Sequence, residues 1–351
     1  MNTRNLVIVI SLAALAACNR ASAPSGPSIA LLLPENKTAR YEAKDRPLFE
    51  ARVKMLCPEC VVLYFNAAQD AAKQQQQAEA ALTQGAKVLV MDPVDSKSAA
   101  ASVRLAKQSG VPVISYERLI LDAPVDAYLS FDNEKVGELQ AQTLIDNLGA
   151  AKQIVMINGS PTDHNAVLYK QGAHAIFDSN HIEILKEYDT PDWSPDKAQA
   201  EMELAITALG KDKIAGVYAA NDGMAGGAIA ALKGAGIDPS SIPVTGQDAE
   251  VAAIQRLILG QQYMTVYKAI RQEAEIAAQL AVAMLKKEPL PAGVLHGKTA
   301  NGAGDIPSAL LAPVAVTWTN VKKTVFADGF VTKEQVCTGE VASHCATLDI
   351  R

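Results

Sequence analysis

The stretch VVLYFNAAQDAAKQQQQAEAALTQGAKVLVMD, residues 61–92, decides the fold. It opens with an apolar run at 61–65 and closes with another at 88–92, and a helical pattern at 68–84 lies between them. Short continuous apolar runs are typical of strands that are covered on both faces, as in parallel sheets. The stretch therefore predicts a helix that crosses over between two parallel strands. The glutamines at 74–77 fall inside this helix, where we expect them to form a solvated face.

The same alternation of strand and helix continues along the chain in both directions. The other predicted strands lie at 29–33, 111–116, 127–131, 154–159, 182–188, 214–220, 243–247 and 264–268. The other predicted helices lie at 42–56, 95–109, 133–148, 164–178, 195–209, 223–234, 249–259 and 270–287. Alternation over this length predicts an α/β protein with two Rossmann-like lobes, each built on an open parallel sheet with right-handed crossovers.

Length and charge limit the function classes. The chain has 351 residues and, even without the first 17, exceeds the usual size of one core, which favours two domains. It carries 38 acidic residues against 32 Lys and Arg, a net charge of −6. This balance supplies no basic surface for nucleic acid. A neutral or cationic small ligand, or a membrane partner, fits better.

The N-terminus has the order of a secretory signal. Arg4 precedes a twelve-residue apolar stretch at 6–17, and the run LAAC at 15–18 places a cysteine where cleavage is expected. This pattern resembles a bacterial lipoprotein signal, with lipid on Cys18. The apolar stretch is too short to cross a bilayer, and residues 18–27 form a polar tether. The alternative is an uncleaved anchor or a chance apolar start.

The four remaining cysteines fall into two close pairs, Cys57/Cys60 and Cys337/Cys345. In an oxidising compartment two local disulfides follow. A redox centre at 57–60 is the alternative, but a redox CxxC usually opens a helix after a strand, whereas this one ends a helical pattern and precedes a strand. A zinc site is less favoured, because the pairs are unequal in spacing and far apart.

Polar side chains follow the predicted strands, at the edge where ligands bind in open α/β sheets. Carboxylates, amides and guanidinium groups fix the directions of sugar hydroxyls, and aromatic rings cover the faces of a sugar ring. The residues that supply this inventory are Arg40, Tyr41, Arg118, Asn165, Trp193, Asn221, Asp248 and Lys268. Helix caps are the alternative for any one of them, and Asp163 and Asp222 are the strongest cap candidates.

The sequence contains no motif typical of an enzyme or of a cofactor site. The run at 293–299 has three residues between its glycines where a phosphate loop has four, and it does not follow a strand. The five histidines show no metal-binding spacing. No nucleophile elbow and no paired catalytic acids stand out. We therefore expect no catalytic residue and no metal site.

Several longer stretches resemble the periplasmic sugar-binding proteins of ABC transporters, and among them the D-xylose-binding type. They are RYEAKDRPLFE (40–50), KQQQQAEAALTQGAKVLVMDPVDS (73–96), VPVISYERLI (111–120), SFDNEKVGELQA (130–141), GSPTDHNA (159–166), ANDGMAGGAIAAL (220–232), GQDAE (246–250) and MTVYKAI (264–270). The resemblance implies the type I periplasmic binding protein fold with a three-stranded hinge. It implies a first lobe of 28–131 plus 267–297, a second lobe of 132–266 plus 298–336, and a C-terminal tail of 337–351.

The resemblance also implies roles for individual residues. The residues that match the family's sugar ligands are Arg118, Asn165, Asn221, Asp248 and Lys268. Trp193 matches the aromatic residue that stacks on the sugar ring, and Arg40 matches a contact from the first loop. Glu117 is the ninth predicted ligand, at a position where the family usually has aspartate. The extra methylene of Glu117 shifts the hydroxyl preference or demands a smaller sugar.

The function that follows is capture of a monosaccharide, xylose or a related pentose or hexose, and its delivery to an ABC transporter permease. We expect a monomer in the periplasm, anchored to a membrane by lipid on Cys18. A sugar-sensing subunit for a chemoreceptor or sensor kinase is the alternative, because the same closure of the lobes serves both. No motif supports an exported sugar enzyme, and the signal argues against a transcriptional repressor of the same fold.

Overall fold

The computed structural model describes residues 26–149 and 152–347. Cys18, the expected signal and most of the expected tether lie outside these residues. The strands are β1 (Ser28–Leu33), β2 (Val61–Asn66), β3 (Ala86–Met91), β4 (Val113–Tyr116), β5 (Ala127–Phe131), β6 (Gln153–Asn158), β7 (Glu183–Asp189), β8 (Gly216–Ala219), β9 (Met264–Tyr267), β10 (Gly297–Ala300), β11 (Asp305–Leu311) and β12 (Val314–Thr317). The helices are α1 (Arg46–Leu56), α2 (Ala71–Thr83), α3 (Ala100–Gln108), α4 (Asn133–Ile145), α5 (His164–Ser179), α6 (Pro195–Leu209), α7 (Asp222–Gly234), α8 (Val251–Ile258), α9 (Ile270–Lys286), α10 (Lys333–Val336) and α11 (Val341–Thr347).

The first lobe is built on a seven-stranded sheet in the order β10-β11-β5-β4-β3-β1-β2. Its neighbouring strands run parallel, except that β10 pairs antiparallel with β11. All six residues of β1 are buried, because helices cover both faces of the sheet. Side chains of α1 and α9 pack on one face, and side chains of α2 and α3 pack on the other. The predicted strand–helix–strand unit at 61–92 is part of this sheet.

The second lobe contains a parallel sheet in the order β7-β6-β8. Isolated bridges extend it from Val217 to Val244 and from Gln247 to Val266, which lies in β9. The strand β9 in turn pairs antiparallel with β12. The predicted strand at 243–247 is present only as these two bridges. Helices α4 to α7 bury their apolar faces against this sheet.

The chain crosses between the lobes three times, between β5 and α4, between β9 and α9, and between β11 and β12. The first and third crossings lie side by side, since the Asp132 N–H donates to the Leu311 carbonyl at 2.9 Å. This arrangement is the predicted two-lobed fold with a three-stranded hinge.

The lobe boundaries differ from the prediction at one point. Residues 298–336 were assigned to the second lobe, but β10 and β11 belong to the sheet of the first lobe, where β11 pairs with β5. Neither strand is a continuous apolar run: β10 is the edge strand of the sheet, and β11 lies between β10 and β5. Their residues alternate between buried and exposed or are mostly exposed, and Pro307 interrupts the apolar run.

The glutamine run also differs from the prediction. Gln74 is buried, and its side chain donates to the Asp92 carbonyl at 2.7 Å and accepts from the Val94 N–H at 2.8 Å. The amide therefore satisfies two backbone groups beyond the end of β3, next to the cleft between the lobes. Gln75 and Gln76 are exposed, as expected for a solvated face.

Both predicted disulfides are present. Cys57 and Cys60 are bridged across 5.3 Å between Cα atoms, and Cys337 and Cys345 across 5.9 Å. Cys57 caps the end of α1, and both sulfurs of this pair are buried, which favours the structural over the redox interpretation. In the described part of the chain, no helix is long and apolar enough to cross a membrane.

Candidate functional site

The cleft between the lobes is lined by twelve residues, and eight of the nine predicted ligand residues are among them. These eight are Arg40, Tyr41, Glu117, Arg118, Trp193, Asn221, Asp248 and Lys268. The other four lining residues are Thr38, Asp163, Tyr169 and Gln247. The space between them is about 20 Å³. That is enough for roughly one water molecule, so the side chains contact one another across the cleft.

Arg40 is held on three sides by carboxylates. Its guanidinium donates to Asp45 through Nε at 3.0 Å and Nη2 at 2.7 Å, and Nη2 also lies 2.8 Å from Glu273. Its Nη1 atom lies 3.0 Å from Glu117 on the cleft side. Burial alone would lower the pKa of Arg40, but Asp45, Glu117 and Glu273 raise it well above its ordinary value. The cation is therefore fixed in charge and direction.

Glu117 joins two cations at the centre of the cleft. Its Oε1 atom lies 3.0 Å from Arg40 Nη1 and 2.7 Å from Lys268 Nζ. Burial would raise the pKa of this carboxyl, but the charges of Arg40 and Lys268 outweigh burial and lower it to about 2. Lys268 also lies 3.2 Å from Asp248 Oδ1. Glu117 is thus ionised, and the second lobe supplies Asp248 as a further anion for the same lysine.

Arg118 and Asp163 form a second ion pair, which bridges the lobes. Arg118 Nε lies 2.8 Å from Asp163 Oδ2 and 3.5 Å from Asp92. The indole N–H of Trp193 donates to the same Asp163 oxygen at 3.1 Å. Asp163 also accepts from the Asn165 N–H at 2.9 Å, so it is the predicted cap of α5 as well. Burial raises the pKa of Asp163, and the charge of Arg118 opposes that rise.

The two aromatic residues lie on different sides of this pair. The ring of Tyr41 is 5.5 Å from the Arg40 guanidinium carbon and 5.9 Å from that of Arg118, within the range of cation–π attraction. The indole of Trp193 lies over Gly159, where any Cβ atom would come within 2.0 Å of the ring. Only glycine at 159 admits the indole in this position.

Three of the predicted ligands have a left-handed backbone. Glu117 has φ of 56°, Trp193 of 52° and Asp248 of 95°. Such conformations cost on the order of 1–3 kcal/mol each in a non-glycine residue and cluster at functional sites. In each case the turn follows a strand or a strand-like segment and aims the side chain at the cleft.

The two predicted asparagines differ in position. Asn221 lines the cleft and caps α7, because its side-chain oxygen accepts from the Met224 N–H at 2.9 Å. Asn165 is not among the residues that line the cleft. Its amide donates to the Glu117 carbonyl at 3.0 Å and accepts from Asn133 at 2.9 Å, which places it directly behind Glu117.

Asp222, expected as a cap, is instead a buried scaffold residue in the structure. Its carboxylate accepts from Gln262 at 2.7 Å, from Thr265 at 2.9 Å and from the Glu250 N–H at 3.0 Å. These bonds tie α7 to the segment that carries Asp248. Burial raises the pKa of Asp222 well above its ordinary value.

Several polar atoms at the cleft lack a hydrogen bond of good geometry. Among the buried side-chain atoms that the structure describes, these include Arg40 Nη1, Glu117 Oε2, Gln247 Oε1 and Asp248 Oδ1. Buried polar groups are nearly always hydrogen-bonded in folded proteins. One donor and three acceptors that face one small cleft therefore point to a ligand with hydroxyl groups.

Comparison with known proteins covers both lobes. Residues 29–289 match the family model described as periplasmic binding protein domain. The D-xylose-binding periplasmic protein of Escherichia coli (strain K12) is 36% identical over 335 residues, which cover 94% of this chain and 98% of that protein. The D-xylose-binding periplasmic protein of Haemophilus influenzae is 36% identical over 312 residues, 88% of this chain and 91% of that protein. A solved carbohydrate transporter solute binding protein from Chloroflexus aurantiacus, in complex with D-glucose, matches with a TM-score of 0.79 at 28% identity, over 88% of this chain and 97% of that one.

Proposed function

Because the chain belongs to the periplasmic binding protein family, we propose that it captures a neutral monosaccharide between its lobes and delivers it to an ABC transporter permease. The observation that carries the proposal is the convergence of buried cations, carboxylates, an amide and an indole from both lobes on one cleft. These groups are the ones that fix the hydroxyls and cover the face of a sugar ring.

The charges in the cleft favour a neutral ligand. Arg40 and Lys268 are both paired with Glu117, and Arg118 is paired with Asp163. A phosphate or carboxylate ligand would have to displace one of these buried carboxylates and leave it without its cation, which is costly. Hydroxyl groups instead donate to the carboxylates and accept from the cations, and they leave each buried charge with its partner of opposite charge.

The ligand set also requires the lobes to move. Arg40 and Arg118 belong to the first lobe, Trp193 and Asp248 belong to the second, and Lys268 follows β9 at a crossing between them. A sugar that contacts both sets does so only when the lobes are closed, whereas entry requires them to separate. Sugar binding therefore shifts an equilibrium between open and closed forms by hinge motion.

The proposed ligands are D-xylose and related pentoses or hexoses. The two curated relatives are named for D-xylose, and the solved neighbour holds D-glucose. In this chain Glu117 reaches one methylene further into the cleft than the usual aspartate. We expect the preference to move towards the smaller sugars, the pentoses, since a pocket distinguishes ligands that differ by one carbon by about 1–3 kcal/mol.

A thermal-shift screen tests the function. A ligand at about 100 times its Kd stabilises the native state by about 2.7 kcal/mol, which raises the Tm by several degrees. We expect such a rise with at least one of D-xylose, L-arabinose, D-ribose, D-glucose and D-galactose. Xylose 5-phosphate and D-xylonate serve as charged controls and are expected to leave the Tm unchanged. A rise with the charged compounds alone would contradict the proposal.

We also propose a periplasmic, monomeric protein that is tied to a membrane by lipid on Cys18. A cysteine at the end of a signal is the acceptor for bacterial lipid attachment, and the polar residues after it give the folded lobes room to move. Cys18→Ser is expected to abolish incorporation of labelled palmitate and to leave an unprocessed precursor. Parent protein and Cys57→Ser, labelled in parallel, are expected to incorporate it. Normal labelling of Cys18→Ser would refute the anchor.

A further inference from the structure

Residues 318–347, here called the C-terminal strap, follow β12 and have no role in the site described above. The C-terminal part of the strap, residues 336–347, is here called its base and packs on the second lobe. Val336, Val341 and Cys345 of the base are buried in a cluster with Ile254 and Leu257 of α8. The Gln255 side chain of α8 donates to the Val336 carbonyl at 3.0 Å. The disulfide between Cys337 and Cys345 closes the end of the strap. The base is therefore fixed.

The front of the strap reaches the first lobe through Phe330. Lys44 Nζ donates to the Phe330 carbonyl and lies 4.9 Å from the centre of its ring. The Phe330 ring also packs edge-on against Tyr267, with ring centres 4.9 Å apart. Phe330 is 8% exposed, so it is enclosed between these partners. It thus contacts both lobes at the hinge side of the cleft.

Both partners of Phe330 adjoin a buried cation of the cleft. Lys44 lies on the π-helical turn Tyr41–Asp45, whose N-terminal cap is Arg40. Tyr267 directly precedes Lys268 in the chain. Phe330 and Val331 also line a small cavity, of about 50 Å³, together with Arg40 and Asp248. The strap therefore lies behind Arg40 and contacts the residue that precedes Lys268.

We propose that the C-terminal strap is a positioning element. It holds the turn Tyr41–Asp45 with its cap Arg40, here called the Arg40 turn, against the end of β9, which Lys268 follows. Short π-helical turns are rare and are found mostly at functional sites, and this one carries Arg40 at its N-terminus. Lys44 supports the turn by a charge-assisted hydrogen bond and a cation–π contact to a residue of the strap, whose base is fixed. The effect on affinity rests on the proposed sugar binding, whereas the effect on the Arg40 turn does not.

The test compares two lysines of similar chemistry. Lys44→Met removes the contact to the strap, and Lys54→Met removes the bond of an exposed lysine to the Pro58 carbonyl within the first lobe. Amide hydrogen exchange of the sugar-free protein is followed for residues 38–46. We expect exchange there to accelerate by about 5- to 30-fold in Lys44→Met and to stay within twofold of the parent in Lys54→Met. Lys44→Arg, which keeps both contacts, is expected to restore slow exchange.

Calorimetry with D-xylose and D-glucose supplies the second readout. For the sugar that the parent binds, Lys44→Met is expected to lose about 5- to 30-fold in affinity, and Lys44→Arg to lose less than threefold. The double variant Cys337→Ser/Cys345→Ser is expected to change exchange and affinity in the same direction. Unchanged exchange at 38–46 in Lys44→Met would overturn the proposal. If the parent binds no monosaccharide, the proposed function fails, and hydrogen exchange still decides the role of the strap.

Discussion

Replacing Asp248 with alanine is expected to weaken sugar binding by about 30- to 1000-fold, or about 2–4 kcal/mol, while the fold survives. Asp248 is 3% exposed and lies 3.2 Å from Lys268 and 4.0 Å from Arg40. Both distances are to its Oδ1 atom, which is ion-paired but makes no hydrogen bond of good geometry, and we expect the carboxylate to accept from sugar hydroxyls. Without the carboxylate, those hydroxyls are buried in the closed cleft with no acceptor. Calorimetry measures the affinity, and small-angle scattering measures the compaction that accompanies it.

Two further variants separate the loss of a ligand from a loss of stability. Asp248→Asn keeps an acceptor oxygen and tolerates the backbone φ of 95°, so its affinity is expected to fall between parent and alanine variant. Asp178→Ala removes an exposed carboxylate from α5 of the same lobe and is expected to bind as the parent does. Parental affinity and compaction in Asp248→Ala would show that the assigned site is wrong.

Replacing Lys268 with methionine is expected to lower the free energy of unfolding at pH 7 by about 3–5 kcal/mol. Lys268 is 1% exposed and lies between Glu117 and Asp248, at 2.7 and 3.2 Å. The variant leaves these two carboxylates buried without the cation between them. Lys197→Met is the matched control, because Lys197 pairs with Asp192 at 2.7 Å but is about half exposed. Such surface pairs contribute about 0–1 kcal/mol. Urea unfolding measures both variants.

The pH dependence of Lys268→Met follows from Glu117. In the parent, the pKa of Glu117 is lowered from 4.5 to about 2 in the folded state. Its ionisation therefore stabilises the fold fully above pH 4.5, and this contribution is lost as the pH falls towards 2. Without Lys268 the folded pKa of Glu117 rises, so the variant loses less on acidification. The difference in unfolding free energy between parent and variant is expected to be smaller at pH 4 than at pH 7, and an equal difference would contradict this account.

The fold could be predicted because the buried strands of parallel sheets are continuous apolar runs. All six residues of β1 are buried, and the runs at 29–33, 61–65 and 88–92 each mark a strand of the first sheet. The edge strand β10 is mostly exposed, and its neighbour β11 has one exposed face and a proline, so the pattern of each is no stronger than that of a loop. The helices α10 and α11 of the C-terminal strap have only four and seven residues, too few to show a helical period.

The cleft could be predicted to the extent that its side chains follow strands. Arg118, Asn221 and Lys268 all come one or two residues after the strand that presents them. Asp163 was found by the same rule but interpreted only as a cap, because its pairing with Arg118 joins positions 45 residues apart in different lobes. Glu273, which fixes Arg40, lies on the inner face of a helix. Its sequence context is that of an ordinary helical glutamate.

The position of Tyr169 in the cleft is predictable from its spacing along α5. It lies four residues after Asn165 on α5, and residues at this spacing share one face of a helix. A predicted ligand in the first turn of a helix, as Asn165 is, therefore also marks the residue one turn later as a candidate; here Tyr169 lines the cleft and Asn165 lies behind Glu117. Gln247 directly precedes Asp248, and the same strand-like segment carries both to the cleft.

The contact between Gly159 and the indole of Trp193 bears on attempts to change the sugar preference by directed evolution. A Cβ atom at position 159 would lie 2.0 Å from the ring, so any side chain there is incompatible with tryptophan at 193. A library that varies Trp193 alone keeps glycine at position 159. It therefore tests other side chains at 193 only against a position that has no Cβ atom. Pairs such as alanine at 159 with leucine at 193 become accessible only when both codons are randomised together.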